Sequence, residues 1–138
     1  IKPFPLVKEA LKLAHEKADI AIVSSANLGA VLDEWEKHGL LEHTDIVLTQ
    51  NVGSKAFCIS ELLKKGYNKE NVLMCGDAPG DLKAAETNEV FYYPILVKKE
   101  KDSWQDFINQ GFSHLLDGSY DEYETIKKRD FYKNLGVE

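Results

Sequence analysis

The chain has 138 residues, of which 43% are hydrophobic and 29% charged, and its formal net charge is -6. A chain of this length makes one domain and buries roughly two-thirds of its unfolded surface, so a true core is expected. The acidic balance, with no basic cluster longer than Lys127-Lys128-Arg129, argues against a nucleic acid partner, and no apolar run approaches the ~20 residues that span a bilayer.

Pro3 and Pro5 read as an extended lead-in. Leu6, Ala10, Leu11, Leu13 and Ala14 then fall at helical spacing, which predicts a helix to about Lys17. Asp19 to Ser24 is a continuous apolar run after its first residue, the pattern of a strand covered on both faces in a parallel sheet. Asn27 suits the N-cap of a second helix through Trp35, with Lys37 in its last turn and Gly39 where a left-handed cap belongs.

The alternation continues. Asp45 to Thr49 reads as a strand, and Ser54 caps a helix ending at Lys64-Lys65-Gly66. Asn71 to Cys75 is a third strand, and Pro79 opens a helix carrying Leu82, Ala84 and Ala85. Val90 to Val97 is a fourth strand, at an edge or bent because Pro94 interrupts it. Strand–helix alternation of this kind predicts an α/β fold, a three-layer α/β/α arrangement around a Rossmann-like parallel sheet.

The whole chain, 1–138, reads as one domain: a motif-bearing part over 4–97, and a mostly helical extension over 98–138. In the extension, helices are expected at Trp104–Gln110 and Tyr120–Tyr132. Trp104, Phe107, Ile108, Tyr123, Ile126 and Phe131 are candidates to pack them on one sheet face. Cys58 and Cys75 lie in apolar segments without metal-ligand spacing and read as reduced core thiols, which fits a cytoplasmic protein. The first residue is Ile1 and a helical pattern follows almost at once, so a fragment of a longer polypeptide is expected.

In open α/β sheets ligands bind beyond the carboxyl ends of the strands, and three such ends carry chemistry here. After the first strand stand Ser24 and Ser25, short hydroxyls beside the free amides of a helix start, a small anion site. After the second, Lys55 occupies the first turn of its helix, where the helix dipole disfavours a cation unless an anion sits nearby. After the third comes Gly76-Asp77-Ala78-Pro79-Gly80-Asp81, with two carboxylates four residues apart at a strand end. Such a pair suits a hard divalent cation that keeps several of its waters, as Mg²⁺ does. Hydroxyl, ammonium and carboxylates in this order form a set that would bind a phosphoryl group and its metal.

This ordered set resembles that of the haloacid dehalogenase superfamily. Val23-Ser24-Ser25 is similar to the family's second motif, Lys55 in Gly53-Ser54-Lys55 to its third, and Gly76 to Asp81 to its Gly-Asp-x-x-x-Asp fourth. The resemblance implies Mg²⁺-dependent hydrolysis of a small phosphorylated substrate. Ser24, with Ser25, would bind the phosphoryl oxygens, and Lys55 would neutralise charge there as a catalytic residue. Asp77 would act as a catalytic residue and metal ligand. Asp81 would share the metal or orient Asp77.

One departure stands beside the match. The family's first motif, an Asp-x-Asp strand end that supplies nucleophile and general acid, occurs nowhere in this sequence. In the family that strand is central, between those ending at Ser24 and at Asp77. Two strand pairs with unpaired inner edges are therefore expected, the gap being filled by an upstream segment, a partner chain or a rearranged pairing. An inactive relative that binds a phosphorylated ligand or a partner protein is the competing expectation. A receiver-like signalling domain has the wrong motif order, since its acidic pair comes first and its lysine last.

Overall fold

The computed structural model describes residues 3–136. In chain order it runs α1 (Val7–His15), β1 (Ala21–Val23), α2 (Leu28–Lys37), β2 (Ile46–Leu48), α3 (Lys55–Leu63), β3 (Leu73–Gly76), α4 (Pro79–Thr87), β4 (Phe91–Pro94), α5 (Glu100–Asp106), α6 (Phe112–Asp117) and α7 (Tyr120–Leu135). The chain is mixed α/β with short parallel strands, as the alternation predicts.

Local chemistry explains the element starts. Asn27 Oδ1 accepts the Ala30 N–H at 2.9 Å and Ser54 Oγ accepts the Phe57 N–H at 3.1 Å, so each satisfies one of the amides a helix start leaves free. Pro79 opens α4, where its missing N–H costs nothing. Gly39 takes φ +70° just after α2, a conformation that disfavours any side chain with a Cβ.

The strands form two separate parallel pairs, β1 with β2 and β3 with β4. Ser24 donates its backbone N–H to Leu48 O and Ile20 O accepts from Ile46, so Ile20, Ile22 and Ser24 face β2. The backbone groups of Ala21 and Val23 then point to the other edge of β1. By the same logic Val72, Met74 and Gly76 face β4, and Leu73 and Cys75 point away from it. Among the described residues, none of those four has a backbone partner on that side.

Side chains alternate across β4. Tyr93 and Ile95 enter one core with Ala10 and Ala14 of α1 and with Phe107, Phe112, Tyr120 and Tyr123. Tyr92 enters a second core with Ile59 of α3, Leu82 and Ala85 of α4, and Phe131. Helices therefore cover both faces of the β3–β4 pair. The aromatic stripe expected on one face is corrected here: Phe131 packs on the face opposite Tyr123, and Ile126 is 54% exposed. The two residues lie eight apart in a helix crossing the sheet edge, so its ends reach different layers. The helix expected at Trp104–Gln110 begins earlier and is continued by a π-helical turn over Phe107–Gly111 into α6.

The outer edge of β4 is closed by α7. Tyr92 donates its N–H to Glu124 Oε2 at 2.6 Å, and Tyr120 Oη donates to Tyr92 O at 2.7 Å. The next outward position is Pro94, which has no N–H to satisfy. Side chains thus replace the neighbour strand that this edge would otherwise seek.

Candidate functional site

The three strand ends meet in one groove between the starts of α3 and α4. Ser25, Ser54, Lys55 and Asp81 line it, and its cavity volume is about 390 Å³. That lies in the range of small-molecule sites, roughly 300–1,000 Å³.

Asp81 is the fixed point. It is 4% exposed, and a buried carboxylate must have partners. Its Oδ2 accepts the backbone N–H of Asp77 at 3.2 Å and of Ala78 at 3.3 Å, which tightens the turn from β3 into α4. Its Oδ1 accepts from Lys55 Nζ at 2.6 Å. Lys55 keeps about a third of its side chain exposed, 30%, so its ammonium remains within reach of a ligand. The unfavourable place of Lys55 at a helix start is offset by this carboxylate rather than left open.

Gly76 makes the arrangement possible. A Cβ built there lies 2.4 Å from Asp81 Oδ2 and 2.6 Å from Asp81 Cβ. Only glycine lets Asp81 fold back onto the strand end. This explains, in steric terms, why a glycine belongs at the start of the acidic motif.

Asp77 is exposed at the rim, next to this turn, while its backbone N–H serves Asp81. Ser24 is half-buried, and its Oγ accepts the Ala26 N–H at 3.1 Å, leaving its hydroxyl proton free to donate. Ser25, rather than Ser24, lines the groove. The structure therefore brings Ser25, Lys55 and Asp81 together and leaves Ser24 and Asp77 at the margins.

Among the described residues no group of three or more His, Cys, Asp or Glu side chains could hold a metal. Mg²⁺ does not need one, since it binds through one or two carboxylates with waters and substrate phosphate. The exposed Asp77 carboxylate fits that demand. Asp81 has both oxygens engaged, so it fits as the group that orients the turn behind Asp77.

Tyr92 Oη donates to Gly76 O at 2.8 Å and so props the strand end from below. Burial pushes the Tyr92 phenol well above its ordinary range, so it stays a donor. Burial likewise raises the thiols of Cys58 and Cys75, the latter to about 12. Both are free, and neither is poised as a nucleophile.

Residues 1–94 match the family model for haloacid dehalogenase-like hydrolases. The chain belongs to this family. The match covers β1 to β4 and every site residue discussed above, and it stops where the helical extension begins. No curated protein and no solved structure matched the chain. Haloacid dehalogenase-like hydrolases cleave bonds with water. Among the described residues no helix is long and apolar enough to cross a membrane.

Sequence reasoning missed Lys83 and Thr87, which also line the groove. The available signal was helical spacing: Gly80, Lys83, Ala84 and Thr87 recur at the three- and four-residue steps that share one face of α4.

Proposed function

We propose that the chain forms the greater part of a Mg²⁺-dependent phosphatase core that acts on small phosphorylated metabolites through a phospho-aspartate. The observation that carries this reading is the contact of Lys55 Nζ with Asp81 Oδ1 at 2.6 Å beside Ser25, in a groove at the carboxyl ends of parallel strands. Positioned charge of this kind does most of the work in phosphoryl transfer.

Ser24 and Ser25 donate to phosphoryl oxygens. The Lys55 ammonium offsets charge on the phosphoryl group and on the attacking carboxylate. Asp77 is placed to hold Mg²⁺, which when bound draws charge from the phosphoryl oxygens, and Asp81 keeps the Asp77 turn in register. The nucleophile arrives on an Asp-x-Asp strand seated between β1 and β3, from a segment upstream of Ile1 or from a partner chain. Its carboxylate takes the phosphoryl group as the alcohol leaves, protonated by the second aspartate. Water then releases inorganic phosphate. The open backbone groups of Ala21, Val23, Leu73 and Cys75 support a strand there. The two free thiols fit a cytoplasmic setting.

The test is turnover of p-nitrophenyl phosphate with Mg²⁺ by the protein carrying its Asp-x-Asp strand. Lys55→Ala is expected to lower kcat by about 10²-fold or more, the scale for losing a preorganised charge donor. Asp77→Asn is expected to raise the Mg²⁺ concentration needed for half-maximal rate. Unchanged kinetics in both variants would refute the reading. The same groove, with Lys55 paired to Asp81 beside Ser25, also supports a second reading, an inactive relative that binds a phosphorylated ligand or a partner protein. Phosphate binding without turnover in the strand-bearing protein would select it.

A further inference from the structure

The groove does not end at the phosphoryl site. From Asp81 it continues along α4 past Lys83 to Thr87, floored by Ala84 and by Ala56 of α3. Lys83 and Thr87 stand four apart on one helix, so their side chains neighbour each other on the same wall. Lys83 is exposed, and among the described residues its ammonium takes part in no ion pair. By contrast, the other lysine of the groove, Lys55, is paired with Asp81. The lining holds two lysines and one aspartate, a local excess of positive charge in a chain of net charge -6. Thr87 is exposed on the same wall of the groove.

We propose that Lys83 and Thr87 form a second anion subsite, so that the groove takes a small organic phosphate bearing another anionic group, a carboxylate or a second phosphate. The phosphoryl group sits between Ser25 and Lys55, and the second anion is held by the Lys83 ammonium with the Thr87 hydroxyl beside it. This rests on the phosphatase reading for the first subsite and adds the substrate class. Lys83 acts in specificity: it favours doubly anionic ligands and touches no reacting atom. The small side chains of Ala56 and Ala84 leave room for the short linker between the two anions, and Gly80 has nothing within 4 Å of a Cβ position.

Two probes separate the subsites: methylphosphonate, with one anionic group, and 3-phosphonopropionate, with a carboxylate added. Their dissociation constants are measured by calorimetry or by titration followed in amide spectra. The protein carrying its Asp-x-Asp strand is expected to bind 3-phosphonopropionate about tenfold more tightly than methylphosphonate, as one added charge-assisted contact allows. Lys83→Gln removes that advantage and leaves methylphosphonate affinity unchanged, whereas Lys55→Gln weakens both probes. Retention of the advantage in Lys83→Gln, with Lys55→Gln still weakening both, overturns the second subsite alone. If the protein carrying its Asp-x-Asp strand binds neither probe, the phosphoryl site falls and the second subsite with it. Amide spectra of each variant confirm that the fold is kept, and Thr87→Val, expected to reduce the advantage only in part, gives an independent reading.

Discussion

Asp81 carries more of the site's geometry than its place in a motif suggests. It ties the Asp77–Ala78 turn through two amides and holds Lys55 through its other oxygen. Gly76→Ala should therefore act through Asp81, because the added methyl occupies the carboxylate's space. The expected loss is about 1–3 kcal/mol, the scale of overpacking, read by urea denaturation. Asp45 plays a comparable part away from the groove. Its Oδ2 accepts the Ile20 N–H at 2.7 Å and its Oδ1 meets His15 Nε2 at 3.0 Å, joining α1, β1 and β2. Its carboxyl is held below the ordinary 3.8, chiefly by the Ile20 N–H and next by His15. A depressed folded value means that the stabilisation is fully present above the unfolded value, about 4, and is lost as pH falls through the folded one. Asp45→Asn should flatten the acid limb of the stability profile below about pH 4 and change its neutral slope little. An unaltered limb would assign acid sensitivity elsewhere.

Among the elements, α7 does work that no residue in it advertises. Its polar and aromatic sequence reads as a helix packed on one sheet face through Tyr123, Ile126 and Phe131. In the fold it delivers Glu124 and Tyr120 to the backbone of Tyr92 and sends Phe131 and Tyr123 to opposite faces of the sheet. Tyr120→Phe removes one buried hydrogen bond while preserving the ring, which packs near Phe91 at 5.1 Å between centroids. It should cost about 1 kcal/mol and raise the exchange rate of the Tyr92 amide. Unchanged exchange would show that Glu124 alone seals the edge. The elements up to β4 were legible because their caps and turns are local: Asn27, Ser54, Pro79 and Gly39 each act within four residues. The extension was harder to read. Aromatic spacing identifies a helix face, but not which layer each end of a long helix meets.

For the whole molecule, the decisive fact is the division into two strand pairs. Amides of Ala21, Val23, Leu73 and Cys75 should exchange at least ~10-fold faster than those of Ile22 and Met74, which the ladders hold. A strand seated between β1 and β3 should slow the first set and leave the second unchanged. Equal exchange before its addition would mean that the edges are already satisfied. The division itself was predictable from the motif order and the absent Asp-x-Asp strand, as were the α/β class and the place of Lys55 and Asp81 at neighbouring helix starts. Those conclusions rest on patterns within a few residues of chain, such as apolar runs, capping residues and the spacing of Gly-Asp-x-x-x-Asp. Only the tertiary structure decided that Asp81 is buried and takes Lys55, that Ser25 rather than Ser24 faces the groove, that Lys83 extends it, and that α7 closes β4. The physical reason is separation along the chain. Lys55 and Asp81 are 26 residues apart, and Tyr92 and Glu124 are 32 apart. Contacts at that range are set by how helices pack on the sheet, and no local pattern encodes them.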